Sequence, residues 1–355
     1  MNLREVVEKI GPEDQGAREE AHRRWSACAK PLGGLGFLET VVENVAALTG
    51  SAAVDFSHRA LLVLCADNGV VAQGVTQSPS SVTAAVAGNL AAGRSSVCMM
   101  AKVARCRVVP VDMGILDFSG LPGLLDRRIG NGTQDISVGP AMTRRQAEQA
   151  VLTGIELVRE QQEQGCRLLA TGEMGIGNTT TSSAVACMLL GRQVQELTGR
   201  GAGLSDQGLR RKIEVIRRAI AVNRPDPEDP LDVLSKLGGF DIAGLCGIFL
   251  GGALYGIPVL IDGVISSAAA LCAERLCPNS AKAMVASHVS QEPASRLLLE
   301  VLGKRPLITA GMHLGEGTGA VAAIPLLDMA LAVYQGSSTF DETGIEAYQP
   351  LGGQP

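Results

Sequence analysis

The chain has 355 residues, of which 46% are hydrophobic and 19% charged, with a formal net charge of −5. That length allows two domains, or one large domain with an appendage, around a sizeable core. The slight acidity, the absence of Lys/Arg runs and an aromatic content of 3% argue against a nucleic-acid surface, a base-stacking platform or a basic membrane patch.

The first residues, MNLREVVEKIGPEDQ, mix charged and apolar positions without an apolar h-region, so no signal peptide is expected. Residues 3–29 read as a charged amphipathic helix stopped by Pro31, and 320–334 as a mostly apolar helix after a glycine-rich turn. The two ends are expected to pack together: residues 1–30 and 320–355 as a small helical domain beside a large α/β domain of residues 31–319. Nine cysteines, at 28, 65, 98, 106, 166, 187, 246, 272 and 277, form no C-x-x-C pair and mostly sit in apolar runs. Reduced, buried thiols in a cytoplasmic protein follow. Four histidines, at 22, 58, 288 and 313, lack metal-ligand spacing, so no metal and no other cofactor is expected.

Six short apolar runs, at 61–66, 108–111, 168–170, 258–261, 283–286 and 307–310, alternate with helical stretches. Buried strands of a parallel sheet read this way, so the fold class is α/β. Each run ends on a polar or glycine-bearing tip, and in open parallel sheets ligands bind at the carboxyl ends of the strands. Asp67, Asp112, Glu173, Asp262, His288 and Glu316 are therefore expected as neighbours around one crevice. Residues 242–261, IAGLCGIFLGGALYGIPVLI, are uncharged over a length that spans a bilayer, but Gly256 and Pro258 interrupt them. A buried helix, a turn and a buried strand are expected there, with no membrane partner.

Two glycine loops each carry one glutamate. TGEMGIGNTTTSSA at 171–184 joins a strand to a helix opening near Asn178, where free backbone N–H groups and the positive helix end suit a phosphate. It has no P-loop lysine, and Gly172, Gly175 and Gly177 do not follow the dinucleotide order. LGEGTGA at 314–320 sets Glu316 among Gly315, Gly317 and Gly319, a backbone open to a ligand. Past TGRGAGL at 198–204, a helix bears Arg210, Arg211 and Lys212, either as a solvated basic face or with one of them reaching the phosphate.

Together with KPLGGLGFLE at 30–39, ADNGVVAQGV at 66–75, PAMTRRQA at 140–147, GGFDIAGL at 238–245, DGVISSAAAL at 262–271 and SHVSQEP at 287–293, these strings resemble the nicotinate-nucleotide–dimethylbenzimidazole phosphoribosyltransferase family of cobalamin assembly. The resemblance implies a homodimer whose large domain is a six-stranded Rossmann-like parallel sheet. It also implies that the small domain of one subunit closes the site of the other. The implied reaction moves the 5-phosphoribosyl group from nicotinate mononucleotide to a ring nitrogen of 5,6-dimethylbenzimidazole, with inversion at the sugar and loss of nicotinate. By motif, Glu316 is implied as the base on the attacking azole and Glu173 as a group near the ribose. Gly175, Ile176, Gly177, Asn178, Thr179, Gly201, Asp262, Gly263 and Ser290 are implied around the phosphoribosyl group, with Lys212 as counter-charge. Ser78, Val86 and Leu314 are implied at the acceptor.

This sequence departs from the family at Asn68, often histidine, at Val86, glutamine in some members, and at Asp135-Ile136, often Asn-Ile. The first two leave a phenol or adenine open as acceptor. Two rival readings are a nicotinamide-dinucleotide oxidoreductase, which lacks its glycine order here, and a regulatory nucleotide-binding subunit of a paired transferase, against which the intact Glu173 and Glu316 argue.

Overall fold

The computed structural model describes residues 1–348. At its centre is one sheet of six strands: β1 (Arg59–Ala66), β2 (Arg107–Gly114), β3 (Leu125–Asp126), β4 (Leu168–Met174), β5 (Val259–Ile261) and β6 (Met284–Ala286). The spatial order is β3-β2-β1-β4-β5-β6, and every adjacent pair is parallel. The chain lays β2 and β3 on one side of β1 and the later strands on the other. In such a sheet ligands bind beyond the carboxyl ends of the strands, and here the cavity lies beyond those of β4, β5 and β6.

Both sheet faces are covered, which is why the strands read as unbroken apolar runs. Leu62 and Leu64 of β1 join a core with Leu169, Val259, Ile261 and Met284, while Leu61, Val63 and Cys65 point into a second core with Leu168, Leu260 and Val285. On the first face lie the helices Arg144–Glu163, Asn178–Leu190, Phe240–Tyr255 and Val264–Leu276. Helices Phe37–Thr49, Ser81–Ala91, Ser96–Val103 and Thr318–Gly336 cover the second.

Helix Phe240–Tyr255 is buried from Phe240 through Ala253 and packs backbone to backbone on helix Arg144–Glu163. A Cβ on Gly154 would fall 2.0 Å from the Gly244 carbonyl, so only glycine permits this approach. The helix ends at Gly256 (φ 68°), and Ile257-Pro258 lead into β5, matching the helix, turn and strand expected over 242–261.

Five of the six expected runs are strands. The run 307–310 is not: it contributes one parallel bridge, Ile308 to His288, beside the end of β6, with Leu307 and Ile308 donating to the carbonyls of Ala286 and Ser287. Its residues are half-buried or exposed, so its apolar letters did not mean burial on two sides. The sixth strand is β3, too short to leave a pattern. Strand β4 runs four residues past its expected end, so Glu173 stands on the strand itself, opposite Leu64.

The single helix expected over 3–29 is two, Leu3–Lys9 and Gln15–Ala27, interrupted around Gly11-Pro12, where proline lacks an amide donor. The first packs on Phe240–Tyr255, and the second on Phe37–Thr49 across the sheet. The chain ends meet where the Trp25 ring lies 4.9 Å from that of Tyr334, with the Arg24 guanidinium 4.6 Å above Tyr334. Helix Thr318–Gly336 is long and apolar enough to cross a membrane by composition, and here Val321, Ile324 and Leu327 bury it against the sheet. Arg59 of β1 holds its outer side through Asp328 at 2.8 Å.

Candidate active site

The carboxyl ends of β4, β5 and β6, with residues 75–78 and loops 198–204 and 313–316, line one cavity. Around it stand Ser78, Glu173, Gly175, Ile176, Gly177, Asn178, Thr179, Gly201, Asp262, Gly263, Ser290, Leu314 and Glu316. Of the expected site residues, Lys212 and Val86 are absent from the lining. Val86 lies in helix Ser81–Ala91 and packs on the second core. The acceptor role the resemblance implied for it therefore has no direct contact to rest on.

Lys212 is set just behind the wall. It shares the buried face of helix Asp206–Asn223 with Val215, Ile216 and Ala219, which overturns the solvated reading of this turn for that residue. Its Nζ donates to Thr179 Oγ1 at 2.9 Å and to the Gly199 carbonyl at 3.1 Å. Burial pulls the ammonium down to about 8, partly opposed by the Glu292 carboxylate.

Two expected backbone donors are already engaged. The Ile176 N–H donates to Thr83 Oγ1 at 3.1 Å and the Gly201 N–H to Glu292 Oε1 at 3.0 Å. Glu292 and Arg200 line the cavity and were not singled out from the sequence. Both stand inside quoted motifs, SHVSQEP and TGRGAGL; for Arg200 a lone charge in a glycine-rich string was the available signal, and for Glu292 its place in a motif with no other carboxylate. Arg200 donates to the Leu204 carbonyl at 2.8 Å and pairs with Asp206.

Of the six strand-tip residues, Glu173, Asp262, His288 and Glu316 meet at the cavity. Asp67 and Asp112 do not. Asp67 accepts from Thr83 Oγ1 at 2.7 Å and from the Leu116 N–H at 2.9 Å, while Asp112 caps the Gly114 and Ile115 amides and pairs with Arg128. These are turn-building roles at the β1 and β2 ends, on the far side of the crevice. Asn68 is also outside the lining, buried and accepting from Thr181 Oγ1 at 3.1 Å, and Asp135 accepts from Gln73. Neither residue lines the cavity, although Asn68 packs behind Gly177, which does.

The two glutamate loops touch through backbone. A Cβ on Gly172 would lie 2.6 Å from the Glu316 carbonyl, so the pair Gly172 and Glu316 brings both carboxyls to one place. Glu316 itself has φ 60°, a left-handed conformation that costs a side-chain-bearing residue energy. Its Oε2 lies 3.5 Å from the Val97 amide.

Glu173 and Asp241 are joined by Asn178, whose side-chain nitrogen donates to Glu173 Oε2 and, at 3.0 Å, to Asp241 Oδ2. Burial first, then the Asp241 charge, pushes the Glu173 carboxyl up to about 8. Burial raises Asp241 to about 6. Asp262 accepts from the Ala320 N–H at 3.0 Å. Burial raises its carboxyl while the neighbouring His288 opposes, and burial lowers the His288 imidazole. The cavity thus holds a lysine-backed hydroxyl at Thr179 and three carboxyl groups, those of Glu173, Asp262 and Glu316, along its walls.

A phosphoribosyltransferase family model matches residues 10–345. The nicotinate-nucleotide–dimethylbenzimidazole phosphoribosyltransferase of Ruminiclostridium cellulolyticum is 44% identical over 351 residues, covering 99% of this chain and 100% of that protein. The protein of the same name from Acetivibrio thermocellus is 44% identical over 348 residues, covering 98% and 99%. The crystal structure of CobT from Thermus thermophilus superposes with a TM-score of 0.89 at 39% identity, over 94% of this chain and all of that one.

Proposed function

This chain belongs to the nicotinate-nucleotide–dimethylbenzimidazole phosphoribosyltransferase family, and we propose on that premise that it transfers the 5-phosphoribosyl group of nicotinate mononucleotide to 5,6-dimethylbenzimidazole. The observation that carries this reading is the meeting of Glu173, at the end of β4, and Glu316, in the glycine loop before helix Thr318–Gly336, at one cavity.

In the reaction, one benzimidazole nitrogen attacks C1′ of the ribose while the Glu316 carboxylate takes the proton from the other nitrogen. The bond from C1′ to the pyridinium nitrogen breaks, its electron pair stays on that nitrogen, and nicotinate leaves. Attack from the face opposite the leaving group turns the β-linkage into α. Holding phosphate, sugar and base in fixed register supplies much of the acceleration. The phosphate lies by Gly175, Ile176, Gly177, Thr179 and Gly201, with Lys212 as a charge from behind Thr179. Asp262, Gly263 and Ser290 face the ribose, and below about pH 8 Glu173 is a protonated carboxyl suited to a ribose hydroxyl. Ser78 and Leu314 border the acceptor.

The working unit is a homodimer. Residues 1–30 and 320–355 make the small domain and 31–319 the large one; residues 349–355 lie outside the described part of the chain. The packing of Trp25 on Tyr334 supports joining the two chain ends, although helix Leu3–Lys9 attaches to the opposite sheet face and helix Thr318–Gly336 is itself part of the layer on the sheet. Nine free, buried cysteines suit a reducing, cytoplasmic setting.

The test is to incubate the purified chain with nicotinate mononucleotide and a panel of benzimidazoles, adenine and phenols, following nicotinate release and product mass. Release matched to a ribosylated benzimidazole phosphate supports the reading, and product with phenol alone would reassign the acceptor. Silence across the panel would contradict a self-sufficient transferase.

A further inference from the structure

Asp241 is fully buried in the first turn of helix Phe240–Tyr255 and does not line the cavity. Its carboxyl is clamped by backbone: a Cβ on Gly239 would lie 2.4 Å from Oδ1, and one on Gly175 would lie 2.9 Å from Oδ2. Oδ2 accepts from the Asn178 side-chain nitrogen, and Oδ1 has no hydrogen-bond partner among the described residues. The same Asn178 nitrogen donates to Glu173. An amide nitrogen carries two hydrogens, so both are spent, one on each carboxyl.

Two buried carboxyls bridged by one neutral amide are costly to ionise together, and sharing a single proton relieves that cost. On this geometry, and resting on the reading of Glu173 as the group beside the ribose, we propose that Asp241 is a positioning residue for the transfer. It fixes the Asn178 amide with its N–H bonds on Glu173 and, as the buried charge behind that amide, keeps Glu173 protonated as a donor to the ribosyl group.

The titratable groups facing Glu173 are Asp241, Asp262 and Glu316; Asp67 also faces Asp241, and His288 faces Asp262. Cys65 of β1 lies near both carboxyls, and its own thiol is held far above its usual range by burial. Among the groups named, the carboxylates favour a retained proton on Glu173. Asp241 is set apart because it alone shares the Asn178 amide.

The test is the pH dependence of kcat/KM for nicotinate mononucleotide, measured on the full chain for wild type, Asp241→Asn and Glu173→Gln. Glu173 losing its proton sets an alkaline limb. Asn at 241 keeps the shape and an acceptor for Asn178 but removes the charge, so the limb is expected to move toward acid by about one pH unit. Glu173→Gln should remove the part of the limb that Asp241→Asn moves, leaving the part set by Lys212, whose ammonium burial lowers to about 8. An unmoved limb in folded Asp241→Asn overturns the proposal. A second measurement covers the case in which that variant does not fold. The infrared spectrum of the wild-type chain at neutral pH should show a protonated carboxyl band that Glu173→Gln loses, and its absence from the wild type would also overturn the proposal. That band does not depend on turnover, so a wild-type chain that releases no nicotinate yet shows it would fault the transferase reading alone.

Discussion

A Cβ added to Gly319 would sit 2.0 Å from Nδ1 of His288. The imidazole after β6 thus occupies the space at the start of helix Thr318–Gly336, three residues beyond Glu316. Gly319→Ala must push the two apart, at a cost of about 1–3 kcal/mol for overpacking. Thermal unfolding should show the loss, and turnover should fall about tenfold or more as Glu316 is displaced. Gly336→Ala, with no heavy atom near its Cβ, serves as the control and should change neither.

Gly154 tests the fold apart from the site. Alanine there would drive a methyl into the Gly244 carbonyl, between two helices that do not line the cavity. The expected result is destabilisation of about 1–3 kcal/mol or more in denaturant unfolding. Turnover well below the unfolding transition should be retained.

For Lys212, methionine keeps the volume and removes the charge. A buried ammonium often costs stability, so the Lys212→Met chain should fold at least as well as wild type in the absence of substrate. The KM for nicotinate mononucleotide should rise about tenfold or more, with kcat less affected, since a charge-assisted contact is lost. Steady-state kinetics at varied nicotinate mononucleotide decide this, and an unchanged KM would remove Lys212 from phosphate binding.

Glu173 gives stability a defined pH dependence. Its carboxyl is raised from an ordinary 4.5 to about 8 in the folded chain. Between those values the folded state holds a proton the unfolded state has lost, so this group's contribution falls as pH rises through the window. Glutamine does not titrate. The stability of Glu173→Gln relative to wild type should therefore grow from about pH 5 to about pH 8 and then level off in unfolding curves taken across pH.

Much of this was written plainly in the sequence. Five buried strands declared themselves because each is covered on both faces, and the glycine loops because only glycine allows Gly172 to lie against Glu316. Strand β3 escaped because two residues carry no period, and 307–310 misled because an apolar run beside a sheet edge resembles a strand. Asp67 and Asp112 misled for another reason: a carboxylate after a strand caps a turn as readily as it serves a ligand, and only the tertiary contacts tell which tips face the cavity. Lys212 was legible in hindsight from its spacing to Val215, Ile216 and Ala219. Asp241, the single acidic residue opening an uncharged helix, was also visible, but its link to Glu173 through Asn178 is a tertiary fact.

The most direct test of the account is Glu316→Gln, read for turnover and for nicotinate mononucleotide binding in parallel. Glutamine keeps the size of the side chain and cannot take the azole proton. Turnover should fall about 10²- to 10⁴-fold, while the dissociation constant for nicotinate mononucleotide stays within about twofold. An unchanged turnover in the variant would contradict the assignment of Glu316 as the base.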